Sequence, residues 1–361
     1  MKPGAVMTDY DFAVAGAGPA GSVFALLAAR AGYRVLLAER SHFEKARFGE
    51  TAPPELRAAL TRIGLDHLTR PPYGRDAAEL VSVWGGDQPL SRNYILSPYG
   101  SALHLDRQRF DEALAFAARD AGADLRLGCG AHFVQQPDGG HIVRLHGGAN
   151  ARASIAILAT GRSGGGVGLP YARCHLDSQI GVAAHFDSPA REFDSRTLVE
   201  AVPSGWLYLS ALPSGSAVAI LVTSASLVPR DRIPRLRWWL EALAQTRLIR
   251  AALHGCRLPE MLSVCDARAS CANRGSGKSW LAIGDARIAP DPLSGQGIHW
   301  AIDDACSAIE LVKSSGWREA ADRMNARTAR EVEQYRADRQ LAYSREWRFH
   351  SHRYWTMQAA Q

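Results

Sequence analysis

The stretch Tyr10-Asp-Phe-Ala-Val-Ala-Gly-Ala-Gly-Pro-Ala-Gly-Ser-Val-Phe-Ala-Leu-Leu-Ala-Ala-Arg, residues 10 to 30, decides the fold. Its opening apolar run predicts a short buried strand, and the alanine- and leucine-rich run after the glycines predicts a helix. Gly16 permits the tight turn between them. Gly18, followed by Pro19 and Ala20, lets backbone N–H groups approach a pyrophosphate at the helix N-terminus, and Gly21 lets helix and strand pack closely. Gly32 suits the end of that helix, and Tyr33-Arg-Val-Leu-Leu-Ala-Glu-Arg reads as a second parallel strand. Glu39 closes this strand, placed to accept a ribose hydroxyl, with Arg40 beside it. Strand, glycine turn, helix, second strand and terminal acid together predict a dinucleotide site.

Two later stretches point to FAD as the dinucleotide. Ser154-Ile-Ala-Ile-Leu-Ala-Thr-Gly-Arg is an apolar strand ending in small residues, so Thr160 and Gly161 can pass close to a bound cofactor. Trp280-Leu-Ala-Ile-Gly-Asp-Ala-Arg-Ile-Ala-Pro-Asp-Pro-Leu-Ser-Gly-Gln-Gly-Ile is a strand, a Gly-Asp, a proline-rich turn and a helix starting near Ser294. A helix whose first turn carries Gly295 and Gly297 offers free N–H groups and a positive dipole end, suited to the negative charge of a reduced flavin.

With Gly16 to Gly21 and Glu39, this last stretch resembles the Gly-Asp signature of the flavoprotein monooxygenases built like p-hydroxybenzoate hydroxylase. The resemblance implies that Gly284 and Asp285 meet the flavin's ribityl chain. It also implies that Arg47, Arg107, Pro292 and Ile298 join the glycines in holding FAD. The implied fold is α/β, or α+β overall: a Rossmann-type FAD-binding domain interleaved with an antiparallel-sheet substrate domain, and a helical C-terminus.

Three stretches narrow the resemblance. Arg47-Phe-Gly-Glu-Thr-Ala-Pro-Pro is similar to the G-E-[ST]-x-x-P segment of flavin-dependent halogenases, and Ser82-Val-Trp-Gly-Gly-Asp and Leu105-Asp-Arg-Gln-Arg-Phe-Asp to their W-G and L-D-R-x-x-F-D segments. Trp206-Leu-Tyr-Leu-Ser-Ala-Leu-Pro matches their W-x-W-x-I-P pattern only in part. Those halogenases use a lysine beyond the G-E segment, and this chain has none between Lys45 and Lys278, which argues against halogenation. Glu200-Ala-Val-Pro-Ser-Gly-Trp-Leu-Tyr, Asp291-Pro-Leu-Ser-Gly-Gln-Gly-Ile and the arginine- and tryptophan-rich tail resemble the flavin monooxygenases that mature tryptophylquinone cofactors. Leu103 stands where that group has a tryptophan before His104.

Composition bounds the alternatives. Hydrophobic residues make up 47% and charged residues 22% of the 361, which is the profile of a globular chain and excludes wholesale disorder. The net charge of +6 is spread among acids without a basic run, so nucleic acid is not an expected partner. Six scattered cysteines contain no C-x-x-C, so no metal site is expected. Asp9 and Asp11 before the first apolar run, and the glycines within it, argue against a signal peptide or a membrane span; a cytoplasmic protein is expected.

Residues 7–75, 105–168 and 263–315 are expected to form the FAD domain, with a helix from Arg109 to Asp120. Residues 76–104 and 171–262 are expected to form the substrate domain, and 316–361 a C-terminal helical segment. From Arg318 to Arg353 nine arginines face six acids at helical spacing, favouring a solvated face packed on the body. Trp347, Tyr354 and Trp355 keep a partner surface in view.

The resemblance implies an FAD-dependent monooxygenase acting through a flavin C4a-hydroperoxide on an electron-rich ring. The favoured substrate is a tryptophan in a peptide or protein. A small indolic or aromatic metabolite, halogenation, and a flavin-binding partner protein without turnover are the alternatives. O2 would be consumed, and NAD(P)H would reduce the flavin directly or through a separate flavin reductase. Glu50 and Arg47 are expected near the ring, Trp206 and Tyr208 as pocket wall, and His104, His185 or Glu200 as acid or base.

Overall fold

The computed structural model describes residues 9–45, 47–137, 139–147, 150–164, 167–187 and 195–359. Its first strand, Asp9–Ala15, lies between Val35–Ala38 and Ala151–Leu158, parallel to both. Asp124–Arg126 and Trp280–Ala282 extend this parallel sheet on either side. Strands buried on both faces read as unbroken apolar runs, which is why Phe-Ala-Val-Ala and Val-Leu-Leu-Ala were legible.

Seven helices accompany the described strands: α1 Pro19–Arg30, α2 Glu55–Arg62, α3 Arg107–Asp120, α4 Arg232–Ala244, α5 Leu248–Ala252, α6 Gly297–Ser344 and α7 Arg353–Ala359. One face of the parallel sheet packs on α1, α3 and the first half of α6, through Val14, Phe24, Leu37, Phe110, Leu114 and Ile302. A hairpin of Ala131–Gln135 and His141–Leu145 covers the other face, where Phe133 and Trp280 are buried. Helix α3 begins two residues before the expected Arg109, because Asp106 caps it by accepting from the Arg109 N–H.

The second sheet has seven strands in the order Ser263–Asp266, Gln179–Phe186, Ala217–Ser224, Gly205–Ala211, Arg196–Val202, Glu79–Val83 and Leu90–Asn93. All its pairings are antiparallel except that of Arg196–Val202 with Glu79–Val83. Its outer face carries Val182, Leu207 and Leu221 against Trp239 of α4 and Ile249 of α5. Its inner face carries Ala183, Trp206, Ile220 and Val222. One expected boundary is corrected: Ser263–Asp266 pairs with Gln179–Phe186, so it belongs to this sheet and not to the FAD domain. The expected start at residue 7 lies outside the described residues.

The chain beyond 297 is helical and packed on the body, as expected. Helix α6 starts at Gly297 after a tight turn at Pro292–Ser294, and it breaks at Gly316, where φ is 77°. Past the break its inward stripe is Tyr335, Arg339 and Tyr343, spaced by four and all buried. With Tyr354 and Trp355 of α7, Tyr343 packs on the inner face of the second sheet, while Tyr335 accepts from the Asp291 N–H and Arg339 pairs with Asp177 and Asp291. Apart from buried Arg339 and Glu346, the charges form the outer face, and Trp347 stays exposed. No described helix is long and apolar enough to cross a membrane.

Candidate functional site

A cavity of about 940 Å³ runs between the two sheets, from the glycine turn to the second sheet's inner face. At the turn, Gly16 has φ +103° and a Cβ there would fall 2.4 Å from the Ala159 carbonyl oxygen. A Cβ on Gly21 would fall 1.9 Å from the Gly16 oxygen, so this glycine serves helix–strand contact. Gly18 is different. A Cβ on it would meet nothing within 4 Å, and the residue lines the cavity together with Pro19 and Ala20. The space a side chain would fill is thus left at the helix N-terminus, where N–H groups favour an anion.

Glu39 closes the second strand as expected. Its Oε2 accepts from the Ala17 N–H at 2.9 Å, and its Oε1 from the Ser41 N–H and hydroxyl at 3.1 and 2.6 Å. Arg47 lies over the Phe43 ring, 4.7 Å from its centroid, and pairs with buried Asp111 at 2.9 Å. Arg107 pairs with the same Asp111 and donates to the Phe48 carbonyl at 2.7 Å, which fixes the loop before Glu50. Arg40 is exposed at the rim, 3.4 Å from the Ser163 hydroxyl.

Thr160 and Gly161 follow the Ala151–Leu158 strand into the cavity wall, and the Thr160 hydroxyl is buried with no partner among the described residues. Asp285 lines the opposite side, 3.3 Å from the Arg162 guanidinium. Pro292, Gly295, Gly297 and Ile298 bring the start of α6 to the same wall. Gly284 sits just behind, with φ +59°, where a Cβ would fall 2.7 Å from Ala20; it holds α1 against the Gly-Asp turn and does not line the cavity. An anion cradle, an acid at the second strand, an orphaned hydroxyl and a helix start form one continuous wall that fits FAD.

The far wall comes from the second sheet. Gly181, Trp206, Tyr208, Ile220, Val222 and Cys265 line it. Glu50 is buried immediately behind. Its Oε2 accepts from the Tyr208 hydroxyl at 3.2 Å and from the Gly49 N–H at 3.1 Å. Burial pushes the Glu50 carboxyl above the usual carboxylate range. Burial, with the nearby Glu50 charge, also raises the Tyr208 phenol well above its ordinary value, so it stays protonated.

The three candidate acid–base groups do not gather here. Glu200 is corrected to a structural residue: its two oxygens accept the Arg247 and Ile249 N–H groups at 2.9 and 2.7 Å and tie down the start of α5. Strand alternation places Glu200 with Leu198 and Val202 on the helix-covered face, away from the cavity. His104 is fully buried, 2.9 Å from the Thr197 hydroxyl, and burial lowers it to about 3. His185 is exposed near the end of its strand, 6.1 Å from the Phe48 ring, and lies outside the cavity lining.

Sequence reading missed several contributors. Thr51 lines the cavity beside Tyr208. Asp291 also lines it, and its carboxylate accepts from Tyr343 at 2.8 Å and from Gln179 at 2.6 Å. The Trp206 indole N–H reaches Tyr343 as well. The spacing of Tyr335, Arg339 and Tyr343 was the signal available for this wall.

A family model described as tryptophan halogenase matches residues 87–361. The Marinomonas mediterranea protein LodB, named as an FAD-dependent oxidoreductase, is 27% identical over 97% of this chain and 96% of its own length. The myxobacterial chondrochloren halogenase CndH superposes with a TM-score of 0.83 at 20% identity, covering 97% of this chain and 86% of that one. The peptidyl tryptophan dihydroxylase QhpG, essential for tryptophylquinone cofactor biogenesis, superposes with a TM-score of 0.74 at 22% identity, covering 97% and 79%. At these identities the two superpositions speak to the fold.

Proposed function

From the premise that the chain belongs to the tryptophan halogenase family of FAD-dependent oxidoreductases, we propose that it is a monooxygenase. Its substrate is an electron-rich aromatic ring, foremost a tryptophan within a peptide or protein. Bound FAD supplies the oxygen-transfer chemistry, using O2 and reducing equivalents from NAD(P)H taken directly or through a separate flavin reductase. The chain's own residues bind, orient and exclude water. Trp206 offers a face for stacking, Ile220 and Val222 keep the wall apolar, and Tyr208 presents a hydroxyl backed by Glu50.

One observation carries the choice of hydroxylation over halogenation. Among the described residues the only lysine in the cavity wall is Lys45, which sits with Phe43 and Glu44 on the loop after Glu39, before the G-E segment. Among the described residues no ammonium stands beside Trp206 or Tyr208. The likeness to the dihydroxylase QhpG supports a peptide as substrate over a free metabolite.

The test is a mass measurement on free tryptophan and tryptophan-containing peptides after incubation with FAD, a flavin reductase, NADH, O2 and bromide. One or two added oxygens on a peptide, with free tryptophan untouched, is the expected result. Oxygen on the free amino acid would redirect the reading to a metabolite hydroxylase. A bromine adduct would overturn the lysine argument.

A further inference from the structure

Behind Tyr208 lies a row of hydroxyls that the proposed function does not use. The Tyr208 hydroxyl donates to Glu50 and lies 3.0 Å from the Thr51 hydroxyl. Thr51 lies 3.3 Å from the Thr197 hydroxyl, which lies 2.9 Å from His104 Nε2. The row thus runs from a buried carboxyl to a buried imidazole and meets the cavity at Thr51 and Tyr208.

Its polarity is set at the far end. His104 Nδ1 is buried and has no partner among the described residues. A hydrogen there would be a buried donor with nothing to bond, so the hydrogen belongs on Nε2, which donates to Thr197. Each hydroxyl then passes its hydrogen onward, Thr197 to Thr51, Thr51 to Tyr208 and Tyr208 to Glu50. Ser210, 3.3 Å from Thr51, is the competing acceptor. Holding the Thr197 hydrogen toward Thr51 steers Thr51 to donate onward. Aligned donors reinforce one another where water is excluded.

We infer that Thr51 and Thr197 are positioning residues that, with His104, align a proton path from the cavity through Tyr208 to Glu50. The inference rests on the proposed ring hydroxylation. The substrate C–H bond at the newly oxygenated carbon breaks, and its electron pair stays in the ring and restores aromaticity. Its proton forms a new O–H bond on the Tyr208 oxygen while the original Tyr208 proton passes to the Glu50 carboxylate. Tyr208 ends as it began, and Glu50 ends neutral until it releases the proton.

The test reads Glu50 itself. Infrared difference spectra of the FAD-loaded protein, with the Glu50→Gln spectrum subtracted, isolate the protonated carboxyl band and its titration midpoint. In Thr197→Val the carboxylate loses aligned donors, so the midpoint should move up by about one pH unit. Thr197→Ser should restore it, and Thr51→Val makes the same cut one link nearer should the first variant not fold. With a peptide substrate, Thr197→Val should lower kcat about tenfold and leave KM unchanged. A Glu50 midpoint unmoved in Thr197→Val overturns the row. A shifted midpoint in a protein that hydroxylates no aromatic ring upholds the row but overturns the functional reading and, with it, the proton transfer.

Discussion

Trp206 and Tyr343 are 137 residues apart in the chain, yet the indole N–H donates to the phenol oxygen at 3.2 Å. The Tyr343 O–H in turn donates to Asp291 at 2.8 Å, so one hydroxyl joins the second sheet, the turn before α6 and the last part of α6. Tyr343→Phe keeps the ring and deletes this junction, leaving a buried indole N–H and a buried carboxylate each short of a partner. It should cost about 1–3 kcal/mol of stability. Urea unfolding checks this, and a cost near zero would mean that the hydroxyl holds nothing in place.

The glycine turn separates two kinds of requirement. In Gly18→Ala the new methyl points into the cavity and touches no protein atom. The variant should fold with an unchanged Tm and bind FAD about tenfold or more weakly, since the methyl takes the space of roughly one good hydrogen-bonded contact. In Gly21→Ala the methyl collides with the Gly16 carbonyl, so the fold itself should lose stability. Thermal melts with and without FAD distinguish the two, and equal behaviour would refute the assignment.

Glu200 carries an opposite expectation to Glu50. Glu200→Ala frees the Arg247 and Ile249 N–H groups at the buried start of α5 and should destabilise the protein by about 2–4 kcal/mol. Glu200→Gln retains acceptor capacity and should recover part of this loss while leaving turnover intact. Loss of turnover in a well-folded Glu200→Gln would return this residue to the catalytic list.

His104 gives a stability signature in acid. Its folded-state value, lowered to about 3 by burial, lies below the ordinary 6.5. Between these values the unfolded chain binds the extra proton, so stability rises with pH, is complete above about 6.5, and is lost as pH falls toward 3. The slope for one proton is up to about 1.4 kcal/mol per pH unit. His104→Gln should therefore lose less stability than the natural protein between pH 6 and 4 in denaturant titrations; parallel curves would refute a buried neutral imidazole.

The cofactor half of the cavity was largely legible in the sequence because its demands are local. Gly16, Gly18, Gly21 and Glu39 must occur at set distances along one strand–helix–strand unit, and Gly295, in the turn, and Gly297 must lead into a helix. The far wall was less legible because it is assembled across sheets. Period-two alternation tells that Thr197 and Glu200 face opposite sides, but not which side meets the cavity. His104 was singled out from its motif, while its partner Thr197 lies 93 residues away. The tail was read from its charges, most of which face outward, while Tyr335, Tyr343 and one of those charges, Arg339, face in.

The break at Gly316 lets one continuous segment visit the site twice, with Gly297 at the cofactor wall and Tyr343 behind the wall formed by the second sheet. The residues after Gly316 are therefore not a detachable appendage. Shortening the chain before Tyr354, or exchanging the second sheet with that of a relative while keeping the native C-terminus, would leave Trp206 facing a gap or a mismatched neighbour. The smallest portable unit for recombination is the second sheet together with everything after Gly316.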